Sequence, residues 1–110
     1  MAGVDAAKIA ELNDALRQTG EGGRVVTTSG VMALGPDVII AVMAAVRTFS
    51  TFTEDNDPYG EHDFGAVEVA GEKLFWKIDY YDQTGEGLSP DPANPELTVR
   101  VLTIMLASEY

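Results

Sequence analysis

The first regular pattern in the chain is a helical spacing of apolar residues near its start. Ile9, Leu12 and Leu16 recur at intervals of three and four residues, the spacing that places side chains on one face of an α-helix. This pattern predicts an amphipathic helix over residues 6–17, which Asp5 can cap. The glycine-rich stretch that follows ends this helix.

Two further elements follow in the first half of the chain. Residues 24–28, with the sequence RVVTT, are rich in β-branched side chains and predict a short strand. Pro36 and Asp37 then open a run that is apolar on almost every side, which predicts a second, mostly buried helix over residues 36–49. We expect this helix to cross the face of a sheet.

Residues 64–82, FGAVEVAGEKLFWKIDYYD, have the alternation of a β-hairpin. A type II′ turn at Gly71 and Glu72 closes it and places Val67 opposite Trp76. This register assigns one face to the core and the other to charged and aromatic residues. The residues of that second face are Glu68, Lys73, Phe75, Lys77, Asp79 and Tyr81.

The C-terminal segment supports two interpretations. Asn94, Pro95 and Glu96 are typical of a helix start and predict a third helix over residues 95–108, whereas the β-branched run in TVRVLTIML permits a strand over residues 98–106. The helix is favoured. The prediction is therefore one α+β domain over residues 1–110, flexible at residues 1–5, in the order α-β-α-β-β-α, with a mostly antiparallel sheet covered by helices.

Composition and charge narrow the function. Seven basic and eighteen acidic residues give a net charge of -11, which repels nucleic-acid phosphates and anionic lipid, so we expect neither as a direct partner. The chain has no cysteine, so no disulfide or thiolate zinc site can form. It also has no apolar run long enough to predict a membrane-spanning helix. We expect a cytoplasmic protein, and the composition leaves its oligomeric state open.

The acidic stretch TEDNDPYGEHDFG, residues 53–65, is the strongest candidate for a functional site. It holds five carboxylates and the only histidine, and no lysine or arginine occurs between Arg47 and Lys73. Extending the hairpin register places His62 near Tyr81, so loop and hairpin form one acidic face suited to a basic protein partner, such as a nucleic-acid-binding protein. The predicted contact residues are Glu54, Asp55, Asp57, Tyr59, Glu61, Asp63, Phe75 and Tyr81.

Two chemical alternatives use the same stretch. A calcium-loop spacing places Asp55, Asp57, Glu61 and Asp63 as ligands for Ca²⁺ or Mg²⁺, but the twelfth position is Ala66 rather than a bidentate glutamate. A metal-dependent or histidine-assisted hydrolase would use His62 as a base with Asp63 and Asp79. The favoured interpretation has no cofactor and no catalysis, and gives His62 a structural role.

Four stretches of the chain resemble a known family: GGRVVTTSGVMALG, FTEDNDPYGEHDFGAVEV, FWKIDYYD and SPDPANPELTVRVLTIMLASEY. They are similar to the domain-of-unknown-function family numbered 3768, and the resemblance runs from about Ile9 to Tyr110. The resemblance implies an alphaproteobacterial cytoplasmic accessory protein, often carried on plasmids or other mobile elements, with a role such as the inhibition of host defences. It implies no catalytic residue.

Overall fold

The structure is a computed structural model that describes residues 4–110. It consists of a four-stranded sheet with helices on one face. The helices are α1 (Val4–Thr19), α2 (Ser29–Met32) and α3 (Pro36–Arg47). The strands are β1 (Arg24–Thr27), β2 (Phe64–Val69), β3 (Glu72–Tyr81) and β4 (Val99–Leu106), and a 3₁₀ turn (Ala107–Glu109) follows β4. The predicted α+β class with a mostly antiparallel sheet is confirmed.

The strands lie in the order β1-β4-β3-β2, so the last strand in sequence is central in space. β4 pairs parallel with β1 and antiparallel with β3, and β3 pairs antiparallel with β2. The helices cover the sheet face that carries Leu74, Trp76 and Ile104. The other face, which we call the open face, carries Phe64, Phe75 and Tyr81 and has no helix packed on it in the described residues.

The hairpin register differs from the prediction by two residues. Val69 pairs with Glu72, so the turn is Ala70 and Gly71, both with positive φ (54° and 79°), as a type I′ turn requires. The Trp76 indole explains the shift: it lies over Gly65, where a Cβ atom would come within 2.5 Å of Nε1. Only a residue without a side chain fits there, and an even shift leaves each side chain on its predicted face.

The favoured C-terminal helix over residues 95–108 is wrong, and the alternative strand is correct. The residues that suggested a helix start form turns instead, in which Asn94 Oδ1 accepts from Glu96 N and Thr98 Oγ1 donates to Asn94 O. β4 begins at Val99 and is hydrogen-bonded on both sides, to β1 and β3. Pairing on both edges, which covers residues 101–104, outweighs the local helical signals, because it satisfies main-chain groups of a buried segment on both sides.

The N-terminal half agrees closely with the expected elements. α1 begins at Val4, so residues 4 and 5 lie in its first turn, while residues 1–3 of the predicted flexible end lie outside the described residues. α3 ends at Arg47, and the prediction that it is mostly buried is wrong: Val42 and Val46 are its buried residues, and Ile40 is 68% exposed. The short helix α2 was not predicted; Thr28 caps it by accepting from Val31 N. None of the helices described here has the length and apolarity needed to cross a membrane.

Arg17 joins α1 to the end of α3 and is almost fully buried. Its Nη1 atom donates to the carbonyl oxygens of Val46, Arg47 and Phe49 at 3.0, 3.2 and 2.8 Å. Its Nη2 atom lies 2.9 Å from Asp14 Oδ1, and its guanidinium lies over the rings of Phe52 and Trp76. A positive group at the negative end of a helix dipole stabilises that end, and here it also satisfies carbonyls that the helix itself leaves without partners.

We expect Arg17→Met to lower the free energy of unfolding by about 3 kcal/mol, because it leaves buried carbonyls without their donor and removes one of the two partners of Asp14. Arg17→Lys should cost less, since an ammonium reaches some of these oxygens but not all of them. Urea unfolding measures both changes. Lys8→Met, at an exposed α1 position with only a 3.8 Å ion pair to Glu11, is the control and should change stability by less than about 0.5 kcal/mol.

Candidate functional site

The acidic loop, residues 53–63, folds around the carboxylate of Asp57. Asp57 is 9% exposed, and its Oδ1 atom accepts from the main-chain N–H groups of Glu61 and His62, both at 3.1 Å. Its own N–H donates to Thr53 O at 2.8 Å. The inner half of the loop is therefore fixed by one buried carboxylate, which has little exposed surface for a partner.

His62 is held between α1 and the acidic loop. Its Nδ1 atom lies 3.0 Å from Asp14 Oδ1, and its Nε2 atom lies 3.7 Å from Asp57 Oδ2. The ring stacks on Phe52 with centroids 3.9 Å apart. These contacts place the ring against α1. The extended hairpin register predicted a place near Tyr81, and that prediction is wrong. The positive φ of His62, 55°, turns the chain away from the hairpin register at this residue.

Glu61 belongs to a buried polar network that joins four elements. Its Oε1 atom accepts from Tyr80 Oη at 2.9 Å, and its carbonyl accepts from Asn13 Nδ2 at 3.0 Å. Asn13 Nδ2 also donates to Tyr80 Oη, and Asn13 Oδ1 accepts from Arg100 Nε at 2.7 Å. Burial, together with the nearby carboxylates, raises the pKa of Tyr80, so its hydroxyl stays protonated and can donate. The guanidinium of Arg100 also donates to Pro92 O.

The predicted contact residues divide into three groups. Glu54, Asp55 and Tyr59 are exposed at the outer half of the loop, Tyr59 by 58%. Asp57 and Glu61 are engaged inside the protein, as described above. The others lie half-buried at or near the open face: Asp63, Phe75 and Tyr81.

The aromatic residues of the open face form a cluster at the side of β2 and β3. Phe75 lies 5.2 Å from Phe64 and 5.4 Å from Tyr110, between ring centroids. The 3₁₀ turn after β4 brings Tyr110 back over this face, where it remains 76% exposed. Tyr81 is farther along β3, where it pairs with Val99 and bridges to Leu88. Phe75 thus belongs to the aromatic cluster, whereas Tyr81 lies outside it, at the C-terminal end of β3.

A pocket of about 330 Å³ lies where the acidic loop meets the open face. Asp63 lines it together with the ion pair of Lys77 and Asp79, whose Nζ and Oδ2 atoms are 2.5 Å apart. Burial, followed by the negative charge of Glu61, raises the pKa of Asp63. The aromatic walls of the pocket are Tyr59, Phe64 and Tyr110.

The alternative chemical sites are not assembled by this geometry. Within residues 4–110, no three histidine or carboxylate side chains converge to hold a metal ion; of the four proposed ligands, Asp57 is bonded to main-chain amides and Glu61 to Tyr80. The proposed catalytic set is also separated. His62 faces α1, whereas Asp79 is paired with Lys77 on the open face.

The sequence interpretation missed the role of α1 in forming this site. Asn13, Asp14 and Arg17 bind the loop and the core from α1. Their spacing along the helix could have indicated this role. Asn13 and Arg17 fall on the helical stripe of Ile9 and Leu16, where a polar side chain must find a buried partner.

We expect Asp63→Asn to stabilise the protein at neutral pH and to have less effect in acid. Because the folded-state pKa of Asp63 is raised above its ordinary value of 3.8, its ionisation opposes folding, and this unfavourable contribution is absent below that value and complete above the folded-state pKa. The urea midpoint measured at neutral pH and below pH 3.8 checks the difference. Glu21→Gln, at an exposed turn, is the control; a gain of equal size at both pH values for Asp63→Asn would contradict the assignment.

His62→Asn should lower the free energy of unfolding by about 1 kcal/mol, because it removes the stacking on Phe52 and the contact with Asp14 while keeping a residue that tolerates positive φ. Ala70→Asn is a matched control, since Ala70 also has positive φ (54°) but lies in an exposed turn before Gly71. That control should be neutral or slightly stabilising. Equal stability of His62→Asn and the unmodified protein in urea would show that the ring does not hold the loop.

Comparison with known proteins gives one match. The model of the family described as Protein of unknown function (DUF3768) matches residues 27–109, from the last residue of β1 to the end of the 3₁₀ turn, so α1 precedes the matched range. No curated protein and no solved structure shows a significant match. Since the match covers well over half of the chain, this protein belongs to the DUF3768 family, as the sequence resemblance indicated.

Proposed function

We propose that this protein is a non-enzymatic interaction protein that binds a basic protein partner through its acidic loop and the adjoining open face. One observation carries the proposal: the outer half of the loop presents Glu54, Asp55 and Tyr59 to solvent, while the inner half is fixed by partly buried hydrogen bonds. Charges held in place before binding lose little conformational freedom when a partner docks.

The charge distribution supports a basic partner. The chain carries a net charge of -11, and no lysine or arginine occurs between Arg47 and Lys73. The two lysines of the adjoining β3 are engaged locally: Lys77 pairs with Asp79, and Lys73 lies over the Phe75 ring. A surface of one sign accelerates encounter with a partner of the opposite sign and repels competitors of the same sign.

The exposed aromatic residues supply the apolar part of such an interface. Tyr59 and Tyr110 are 58% and 76% exposed and line one pocket together with Asp63. Exposed tyrosines beside charged residues are typical anchors of protein interfaces. In this pocket, a lysine or arginine side chain of the partner would contact the rings of Tyr59 and Tyr110 and the carboxylate of Asp63.

The biological setting is part of the proposal. A nucleic-acid-binding protein is a suitable basic partner, because its own surface is built to meet negative charge. A bacterial cytoplasmic location, an accessory role on a mobile element and inhibition of a host defence protein are supported by the family resemblance alone.

The alternative, a metal-dependent or histidine-assisted hydrolase centred on His62, has less support from the geometry. A general base needs a ring nitrogen directed at substrate. Nδ1 of His62 lies against Asp14, Nε2 faces Asp57, and one side of the ring is covered by Phe52. These contacts favour the structural role of the histidine.

The test reverses the two exposed carboxylates of the loop. Glu54→Lys with Asp55→Lys should fold normally, since both side chains are exposed, and should bind a basic partner at least about tenfold more weakly, because attraction becomes repulsion. The tagged chain is purified from the cells that encode it, the bound basic proteins are identified, and their binding is remeasured with purified components at low and high salt.

The matched control is Glu21→Lys with Asp37→Lys, an equal change of charge at exposed positions outside the loop and hairpin. It should retain the partner. Partner binding that survives the loop reversal, or that is lost equally in the control, would exclude the acidic loop as the binding surface. Circular dichroism and thermal unfolding verify that both variants are folded.

A further inference from the structure

β2 is an edge strand whose outward main-chain groups have no partner in the described residues. Ile78 N donates to Asp63 O at 2.8 Å, and Val69 pairs with Glu72 across the two-residue turn. In an antiparallel pair, hydrogen-bonded positions alternate. The odd-numbered residues from 63 to 69 therefore bond to β3, and the N–H and C=O groups of Phe64, Ala66 and Glu68 point away from the sheet.

This edge has little of the usual protection against pairing with another chain, since Glu68 is the one charged side chain of the strand. The strand FGAVEV has six residues and contains no lysine and no proline, the residues that commonly block such edges. The opposite edge strand, β1, has only four residues and begins with Arg24. Of the two edges of the sheet, β2 is therefore better suited to accept another strand.

Carboxylates surround the β2 edge. Asp63 precedes the strand, Glu68 lies exposed within it, and Glu72 lies exposed just after the turn. The exposed carboxylates of Glu54 and Asp55 lie on the loop that leads into it. A strand added at this edge would thus meet negative charge at both of its ends.

We infer that β2 takes an extended, basic segment of the partner as a fifth strand of the sheet. This inference rests on the proposed function and adds the binding mode: main-chain hydrogen bonds to residues 64, 66 and 68 supply affinity, and the flanking carboxylates select lysine and arginine side chains. The carboxylates would make binding specific for basic segments. The main-chain hydrogen bonds would tolerate different sequences, because main-chain groups are the same in every segment.

A second copy of the chain is a poorer occupant of this edge. Antiparallel pairing of β2 with itself would place the acidic loop and Asp63 of each copy beside Glu68 and Glu72 of the other, in chains that each carry a net charge of -11. Such like charges repel when they are brought together. Charge complementarity therefore selects the basic segment.

The experiment uses short acetylated and amidated peptides as probes. One alternates lysine with valine, and the other replaces each valine with proline, which keeps the charge but removes the alternate N–H donors. Nuclear magnetic resonance titration of the full chain measures affinity, and amide hydrogen exchange measures protection. The lysine–valine peptide should bind more tightly and slow exchange at Phe64, Ala66 and Glu68.

Ala66→Pro tests the strand itself. Its N–H points outward, so proline leaves the pairing with β3 intact but removes a donor from the edge, and the lysine–valine peptide should bind about tenfold more weakly. Ala66→Val keeps the donor and is the matched control. If Ala66→Pro does not fold, exchange protection at these three amides in the unmodified chain decides the question.

The outcomes separate this inference from the proposed function. In one outcome, both peptides bind equally, the three amides are not protected, and binding is lost in Glu54→Lys with Asp55→Lys. This result would keep the acidic surface but overturn strand addition. Absence of binding by either peptide overturns strand addition by basic segments. Concentration-dependent dimerisation of the unmodified chain that Ala66→Pro abolishes would make a second copy the occupant and would also overturn it.

Discussion

The buried polar side of α1 is the constraint on which the rest of this structure depends. Asn13 and Arg17 lie on the same stripe as Ile9 and Leu16 and are as deeply buried. A buried polar group is costly without partners. The partners come from elsewhere: Arg17 takes the carbonyls at the end of α3, and Asn13 joins Arg100 of β4 to Tyr80 of β3. One helix thereby sets the positions of the core, the sheet and the acidic loop.

The acidic loop owes its shape to the same helix. Asn13 holds the carbonyl of Glu61, and Asp14 holds the ring of His62, so the loop's only histidine and two of its carboxylates serve the fold. This leaves the outer residues, Glu54, Asp55 and Tyr59, exposed to solvent. The residues that looked most chemical in the sequence are those with structural roles, and the proposed binding surface belongs to their exposed neighbours.

The sheet offers a surface of another kind beside that loop. Its helix-covered face is filled by the core, whereas its open face carries the aromatic cluster and ends at the unpaired edge of β2. Strand edges are normally defended because they pair without regard to sequence. In the binding mode inferred above, the carboxylates around β2 would select by charge, because they would repel acidic chains, including other copies of this one, and attract basic ones.

Local patterns in the sequence determined α1, α3, β1, the hairpin and the face of each hairpin side chain, because helical and strand periodicities depend only on near neighbours. The tertiary structure alone decided three features. β4 is a strand because it fills the gap between β1 and β3, the hairpin register follows from the fit of Trp76 over Gly65, and His62 meets Asp14, 48 residues away. Each depends on contacts between distant segments, which no local propensity encodes.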